Sequence, residues 1–199
     1  MTSLVSLPTA ADVAKPIDEG RARDAIRDLL EALGADLTNE SLAETPARVA
    51  RMYTELLDPE PVSLTTFPND EGYDELVISR DIPVYSLCEH HMLPFHGVAH
   101  VGYLPGDRIV GLSKLARVVD LFAGRLQVQE RLTRQVAAWL CDQLHPRGVG
   151  VVIEATHMCM SMRGVRKPGA VTVTSTLLGT IRSDPRTRAE FLALARGTR

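Results

Sequence analysis

The spacing of apolar residues predicts two amphipathic helices in the first third of the chain. Between residues 18 and 33, apolar side chains recur every three or four positions, and Gly34 follows as a helix terminator. A second helix is predicted to begin at Thr45-Pro46, with Thr45 as its N-cap and Pro46 as its first residue, and to end at residues 58–61. The two together predict a helical hairpin.

The rest of the chain alternates strand patterns with helical ones. Short apolar segments rich in β-branched residues predict strands, and stretches with 3.6-residue periodicity predict helices. The predicted elements are strands within residues 76–85 (interrupted at Pro83) and at 97–104, helices at 113–123 and 128–144, strands at 148–160 and 171–181, and a final helix from Asp184-Pro185 to Ala195. Paired strands on either side of paired helices predict an α+β fold, an antiparallel sheet with helices on one face.

We expect three segments along the chain. Residues 1–17 carry Ser, Thr, Pro and Ala without periodicity and are predicted to form a flexible arm. Residues 18–60 hold the helical hairpin as an N-terminal extension, and residues 61–199 form the main α+β domain. A chain of 199 residues can bury roughly 70% of its unfolded surface, so one core is enough.

Composition narrows the range of partners and compartments. The net charge is −3, from 22 basic and 25 acidic residues, which argues against a broad nucleic-acid-binding surface but not against a small anionic ligand. The sequence has neither the pattern of a signal peptide nor an apolar run of about 20 residues. Its 3 cysteines are an odd number and do not indicate a disulfide framework. We expect a cytoplasmic, soluble protein without membrane or nucleic-acid partners.

Two short motifs contain residues that bind metals. In the sequence Cys-Glu-His-His at residues 88–91, two residues separate Cys88 from His91, a spacing that lets one loop supply two ligands. Alone, the motif is explained equally well by a core cysteine beside surface histidines. The second motif, His157-Met158-Cys159, ends a predicted strand whose alternate residues are apolar, so that an imidazole and a thiol would share one buried face.

Three protein ligands with an open fourth position are typical of a catalytic zinc site. Cys88, His91 and Cys159 form such a set, and the combination of thiolate and imidazole favours zinc over magnesium or calcium. Bound zinc lowers the pKa of its water to roughly 7 and so supplies hydroxide at neutral pH. His90 and His157 would lie beside the metal as general acid–base groups.

Other polar groups fit an anionic ligand but also have ordinary explanations. Ser113 is the predicted N-cap of a helix and Lys114 follows it, which suits phosphate binding or a well-capped surface helix. The basic run at residues 162–167 fits an oligophosphate or a solvated loop. Glu130 opens the long helix, where it would favour the helix dipole or accept two N–H donors from a guanine edge. The sequence does not choose between these interpretations.

Taken together, the motifs resemble those of GTP cyclohydrolase I. The likeness covers about residues 18–196 and keeps the family's motif order, through residues 88–91, 111–114, 127–133, 157–159 and 163–165. The resemblance implies the tunnelling fold, whose β-β-α-α-β-β unit agrees with the predicted order, with residues 61–199 as the catalytic domain. It also implies a homodecamer, toroidal in shape, with active sites between subunits.

The resemblance further implies a role for each site residue. The implied set is Cys88, His91 and Cys159 as zinc ligands, His90, His157 and Ser113 as catalytic residues, and Glu130, Gln129, Lys114, Arg117, Arg163 and Arg48 as contacts to GTP. Within that set, the two histidines flank the imidazole ring of guanine, Glu130 anchors the guanine amino and ring N–H groups with Gln129 beside it, and the basic residues contact the triphosphate and ribose.

The implied reaction converts GTP and water to 7,8-dihydroneopterin triphosphate and formate, the first step toward tetrahydrofolate, other pterins or deazapurines. Three alternatives stay open from the residues alone. The chain could be another tunnelling-fold enzyme acting on purines or pterins, a non-catalytic nucleotide-binding ring stabilised by zinc, or a nucleic-acid-binding zinc module. The second alternative predicts a closed metal site with a fourth protein ligand.

Overall fold

The computed structural model describes residues 16–197, so the predicted arm at residues 1–17 lies almost wholly outside the described part of the chain. Within that part the helices are α1 (Glu19–Ala32), α2 (Glu40–Ala43), α3 (Thr45–Leu57), α4 (Ser113–Ala123), α5 (Gln129–Leu144), α6 (Met158–Ser161), α7 (Gly179–Ser183) and α8 (Pro185–Arg196). The strands are β1 (Thr66–Pro68), β2 (Val77–Cys88), β3 (Pro94–Leu104), β4 (Arg108–Val110), β5 (Leu126–Gln127), β6 (Gly148–His157) and β7 (Thr172–Leu178).

The main sheet has five strands in the order β5-β2-β3-β6-β7. The last four of these pair antiparallel, and the two-residue β5 pairs parallel with the end of β2. A separate two-stranded sheet joins β1 to β4. The chain order β2-β3-α4-α5-β6-β7 is the predicted one, and the predicted α+β fold with an antiparallel sheet is confirmed.

The core lies between one face of this sheet and helices α4 and α5. Val151 and Ile153 on β6 are fully buried on that face, and Val118 on α4 and Leu132 on α5 are fully buried against it. Each element contributes its own apolar side because alternate strand residues share a face and helix residues three or four apart share a stripe. The predicted covering of one face by the paired helices follows directly from these two periodicities.

The opposite face of the sheet is covered at one end by the C-terminal helices. Phe191 of α8 and Ile181 of α7 are fully buried there, in a second apolar cluster that includes Val152 of β6. The sequence predicts helices on one face of the sheet only and does not predict a helix on this opposite face. None of the helices in residues 16–197 has the length and apolar character that crossing a membrane requires.

Two predicted N-caps are each displaced by one residue. Thr45 and Ser113 are the first residues of α3 and α4, and the capping positions are Glu44 and Leu112, neither of which makes a side-chain cap hydrogen bond. The α3 prediction missed the short helix α2, which ends one residue before Glu44. The predicted start at Asp184 is confirmed, because its carboxylate accepts hydrogen bonds from the backbone N–H groups of Arg186 and Thr187.

The interruption predicted at Pro83 lies earlier in β2. Pro83 pairs in register with Val98, and the register shifts between Ser79 and Ile82, where Asp81 has a φ of 54°. Proline is tolerated because β5 pairs with β2 only at its far end, so that within residues 16–197 no strand on the outer side of Pro83 needs its missing N–H. The predicted strand at 171–181 also ends early, at Leu178, before the helix α7.

The packing of α8 on the sheet makes Gly150 a sensitive position. A Cβ atom at Gly150 would lie 2.6–2.7 Å from carbon atoms of the Phe191 ring, which is fully buried. We expect Gly150→Ala to lower the free energy of unfolding by about 1–3 kcal/mol, because a buried ring has little room to move. Chemical unfolding at matched protein concentration measures this change.

The matched control is Gly20→Ala in α1. Its new Cβ would meet nothing closer than 3.4 Å, and alanine in a helix is favoured over glycine by roughly 0.5–1 kcal/mol. We expect this variant to be as stable as the parent protein or slightly more stable. Equal stability of the Gly150→Ala variant and the parent would contradict the packing of α8 described above.

Candidate active site

A tight turn between β2 and β3 brings together a thiol and an imidazole that could bind a metal ion. Cys88, the last residue of β2, is buried, and its carbonyl oxygen accepts hydrogen bonds from the backbone N–H groups of His91 (3.3 Å) and Met92 (2.8 Å). Met92 has a φ of 55°, and this left-handed residue reverses the chain. His91 is thereby folded back over Cys88, with its Nδ1 atom 3.9 Å from the Cys88 sulfur.

The third side chain, Cys159, follows the end of β6. β6 pairs with β3, and their register places Phe95 opposite His157, so that the end of β6 lies beside the turn that carries His91. The predicted strand through residue 160 is wrong, since β6 ends at His157 and Cys159 lies on the short helix α6. The ligand atoms of Cys88, His91 and Cys159 nevertheless all lie within 4.8 Å of one another.

The donor set and its spacing fit a zinc ion. Tetrahedral zinc with Zn–S near 2.3 Å and Zn–N near 2.0–2.1 Å separates a sulfur from a nitrogen ligand by about 3.6 Å, close to the 3.9 Å between Cys88 Sγ and His91 Nδ1. The cluster in the described residues contains two thiols and one imidazole and no carboxylate, whereas magnesium and calcium prefer oxygen ligands. Three protein ligands leave one position for water or substrate.

The environment of Cys159 disfavours its ionisation when no cation is bound nearby. Burial raises the pKa of Cys159 above its ordinary value, and the adjacent Cys88 raises it further, while the Arg163 guanidinium acts in the opposite direction. A bound cation would stabilise the thiolate form directly. Metal binding here would therefore be coupled to loss of the Cys159 proton.

The contact between Arg163 and His91 depends on which nitrogen of the His91 ring carries the proton. An Nη atom of Arg163 lies 3.3 Å from His91 Nε2, and because arginine only donates, this contact requires Nε2 to be unprotonated. If His91 were to hold a metal through Nδ1, its Nε2 would carry the ring proton and the contact with Arg163 would be lost.

His157 is held on two sides. Its ring stacks on Phe95, with centroids 4.7 Å apart and an interplanar angle of 12°, and its Nε2 atom lies 2.7 Å from Gln129 Oε1. Burial lowers the pKa of His157, and the nearby Glu130 carboxylate partly opposes this effect. The imidazole is therefore neutral near neutral pH and suited to accept a proton.

His90 lies on the open side of the cluster. Its Nδ1 atom is 3.7 Å from the Cys88 sulfur, and its Nε2 atom is 3.8 Å from the Glu89 carboxylate. The side chain is 62% exposed, in contrast to the half-buried His157. The two histidines thus differ in freedom of movement although both adjoin the metal ligands.

A polar network that the sequence did not predict fixes the turn. Arg131 donates to the Glu89 carboxylate at 2.5 Å and to Gln127 Oε1 at 2.9 Å, and Gln127 donates to Gln135 Oε1 at 2.8 Å. The Glu89 backbone N–H also donates to the Gln127 carbonyl at 3.0 Å. These contacts attach the metal-binding turn to the start of α5, so that the turn cannot shift independently of that helix.

Comparison with known proteins places this geometry in a family. The sequence profile of GTP cyclohydrolase I matches residues 22–196. The chain is similar to GTP cyclohydrolase 1 of Mycolicibacterium vanbaalenii, with 58% identity over 184 residues that cover 89% of this chain and 90% of that protein. It is also similar to GTP cyclohydrolase 1 of Mycolicibacterium paratuberculosis, with 55% identity over 193 residues and 94% of each chain covered.

The chain belongs to the GTP cyclohydrolase I family. The predicted resemblance is thereby confirmed, and the β2-β3-α4-α5-β6-β7 order is the β-β-α-α-β-β unit expected of the tunnelling fold. Among solved structures, the archaeosine synthase QueF-like protein in its apo form superposes with a TM-score of 0.42 and 15% identity, over 60% of this chain and 97% of that chain. That superposition is too loose to bear on fold or function.

Four further residues expected of a GTP cyclohydrolase I lie on helices α3 and α4. Ser113 and Lys114 begin α4, and Arg117, further along this helix, lines a groove of about 310 Å³ together with Asp120. Arg48 donates to the Ser41 carbonyl at 3.0 Å within the N-terminal helices. In residues 16–197 no hydrogen bond joins these four basic or hydroxyl side chains to the metal cluster. Only Arg163 among the expected phosphate contacts touches it.

The cluster predicts which cysteine is needed for metal binding. We expect Cys159→Ser to weaken metal binding by at least about 100-fold, more than the loss of an outer hydrogen-bond partner of a ligand, because a serine hydroxyl is not ionised at neutral pH. Metal content after dialysis against a chelator measures the change.

The matched control is Cys141→Ser, on α5 at the edge of the core and outside the cluster. We expect this variant to keep its metal. Equal loss of metal from the two variants, or full retention in Cys159→Ser, would contradict the assignment of the ligands.

Proposed function

We propose that this chain binds Zn²⁺ through Cys88, His91 and Cys159 and converts GTP and water to 7,8-dihydroneopterin triphosphate and formate. One observation carries the proposal: the donor atoms of these three side chains lie within 4.8 Å of one another. Two histidines in different environments lie beside them. Membership of the GTP cyclohydrolase I family supplies the substrate. The net reaction consumes one water and releases C8 of guanine as formate.

Each proposed residue has a chemical task that its environment suits. A bound zinc ion would lower the pKa of its water ligand to roughly 7 and so provide the nucleophile for C8. His157, neutral and held by Phe95 and Gln129, would exchange a proton with the guanine imidazole ring as it opens. His90, more exposed and freer to move, would serve the opposite side of that ring.

Charged side chains would bind both the guanine end and the triphosphate end of the substrate. Glu130 is exposed at the start of α5 and close enough to His157 to influence its pKa, so its carboxylate would accept the amino and ring N–H groups of guanine. Arg163 lies over the metal ligands and would contact the triphosphate or ribose once a metal releases it. Ser113 would assist the later rearrangement of the ribose.

We further propose that the site is completed by neighbouring subunits in a homodecamer. Lys114, Arg117 and Arg48 are the other expected phosphate contacts, and in a single chain they are not joined to the metal cluster. A second copy that brings its own Lys114 or Arg48 to this cluster would complete a triphosphate site. We place the enzyme in the cytoplasm, because a reducing compartment keeps both ligand cysteines available as thiolates.

The assay follows the products of GTP. We expect zinc-loaded protein to release formate from GTP in a one-to-one ratio with a pterin that becomes fluorescent neopterin phosphate on oxidation. Formate is measured with formate dehydrogenase and neopterin by fluorescence after chromatography. No formate from metal-loaded protein would overturn the proposed function, whereas formate without neopterin would overturn the proposed ribose rearrangement.

A pair of variants separates metal binding from proton transfer. We expect His157→Ala to keep its zinc and to lose turnover by about 10²–10⁴-fold, the contribution typical of a general acid–base group. Cys159→Ser should lose zinc and turnover together. Comparable zinc loss in both variants would contradict the assignment of His157 as a proton-transfer group outside the metal's ligand set.

A further inference from the structure

The side chain of Gln129 occupies a position that contact with a substrate does not explain. It is the first residue of α5 and only 1% exposed. Its amide nitrogen lies 2.9 Å from the carbonyl oxygen of Ile153, 2.9 Å from that of Thr172 and 3.1 Å from Thr174 Oγ1. Its amide oxygen lies 2.7 Å from His157 Nε2. All four contacts are internal to the chain.

The chemistry of the neighbours fixes which way the amide points. Backbone carbonyl oxygens only accept hydrogen bonds, so the end of the amide that meets Ile153 and Thr172 must be the NH₂ group. Both of its hydrogens are thereby used. The opposite end, facing His157, must be the carbonyl oxygen, which can only accept.

Thr133 and Thr174 also contact Gln129 and fix the direction of the hydrogen bonds around its amide group. Thr133 Oγ1 donates to the Gln129 backbone carbonyl at 2.7 Å, so its lone pairs are left for the Thr174 hydroxyl, which lies 2.6 Å away. The Thr174 proton therefore points to Thr133, and its oxygen faces the Gln129 NH₂ group. Rotation of the amide by 180° would break the hydrogen bonds with both carbonyls and set the amide oxygen against two other acceptors.

From this geometry we propose that Gln129 is a positioning residue that sets the tautomer of His157. Since Gln129 Oε1 only accepts, His157 Nε2 must carry the ring proton, which leaves Nδ1 as the nitrogen with a free lone pair. The stack on Phe95 fixes the plane of the ring, and the hydrogen bond fixes its rotation within that plane. His157 would then exchange protons with substrate through Nδ1 alone.

This proposal rests on the proposed function for its catalytic meaning and revises the expected role of Gln129. The resemblance to the family implied that Gln129 contacts the substrate beside Glu130. With both N–H groups and the carbonyl oxygen already engaged, the Gln129 side chain has no donor left for a ligand. Its effect on GTP would therefore be exerted through His157.

The direct test reads the tautomer without substrate. We would record ¹⁵N solid-state NMR spectra of the assembled, zinc-loaded protein labelled with ¹⁵N-histidine, at a pH where the ring is neutral. The His157 signals are assigned by difference from His157→Asn. We expect a protonated Nε2 and an unprotonated Nδ1. The reverse tautomer in the parent protein would overturn the proposal by itself, whether or not any variant folds.

Two variants of similar size separate the acceptor from the rest of the amide. Gln129→Met and Gln129→Glu both lose the NH₂ group that donates to Ile153 and Thr172, but only the glutamate keeps an oxygen toward His157. We expect the methionine variant to lose the Nε2–H tautomer and to lower kcat by about 10²-fold, with KM for GTP changed little. The glutamate variant should keep the tautomer and recover much of kcat relative to the methionine variant.

A matched control addresses stability alone. Thr174→Val removes one hydroxyl contact behind the amide while both carbonyl contacts remain, so it should lower the unfolding temperature without changing the His157 tautomer. A methionine variant with the parent's tautomer and kcat, or a glutamate variant as impaired as the methionine variant in both, would overturn the role of the acceptor. If no form of the protein makes formate, the proposed function fails while the NMR result still decides the tautomer.

Discussion

The pairing of β3 with both β2 and β6 is the constraint on which the candidate site depends. The turn after β2 places Cys88 and His91 at one end of β3, and the register of Phe95 with His157 places the end of β6 at that same edge. A slip of one residue in either pairing would turn every side chain to the other face of the sheet. The apolar core would then be exposed. The free energy gained by burying the core therefore also fixes the strand register that brings Cys88, His91 and Cys159 together.

The same register explains why polar side chains can be buried near the site. Gln127 and Gln129 are each 1% exposed, and an unpaired buried amide costs roughly 1–3 kcal/mol. Gln127 bonds to the helices that flank β5, through the Phe122 carbonyl and the Gln135 side chain. Gln129 bonds to carbonyls and a hydroxyl of β6 and β7. The two glutamines therefore stabilise the packing of the helices on the sheet. Packing of this kind suits a site in which the orientation of an imidazole matters as much as its presence.

Local patterns predicted most of the elements and named the three side chains that the fold brings together, and they failed where the answer depended on distant contacts. Helix α4 and the end of α5 follow from 3.6-residue periodicity, and Cys88 and His91 follow from their spacing. Cys159 was predicted to lie on a strand but lies on the short helix α6. An apolar run followed by a polar residue has the same pattern whether the strand continues or gives way to a helix. The pairs Arg131–Glu89 and Gln129–His157 lie 42 and 28 residues apart, and no periodicity within one element reports such contacts.

The two histidines beside the Cys88–His91–Cys159 cluster differ in how firmly the fold holds them. His157 ends a central strand, so it inherits the rigidity of β3 and β6 and receives a buried hydrogen-bond partner. His90 lies on the turn, and its ring is largely exposed. The proposed reaction opens one ring and closes another, so it would present changing atoms to its catalytic groups. A fixed imidazole would define the geometry of one proton transfer, and an exposed one would have room to follow the substrate as it rearranges.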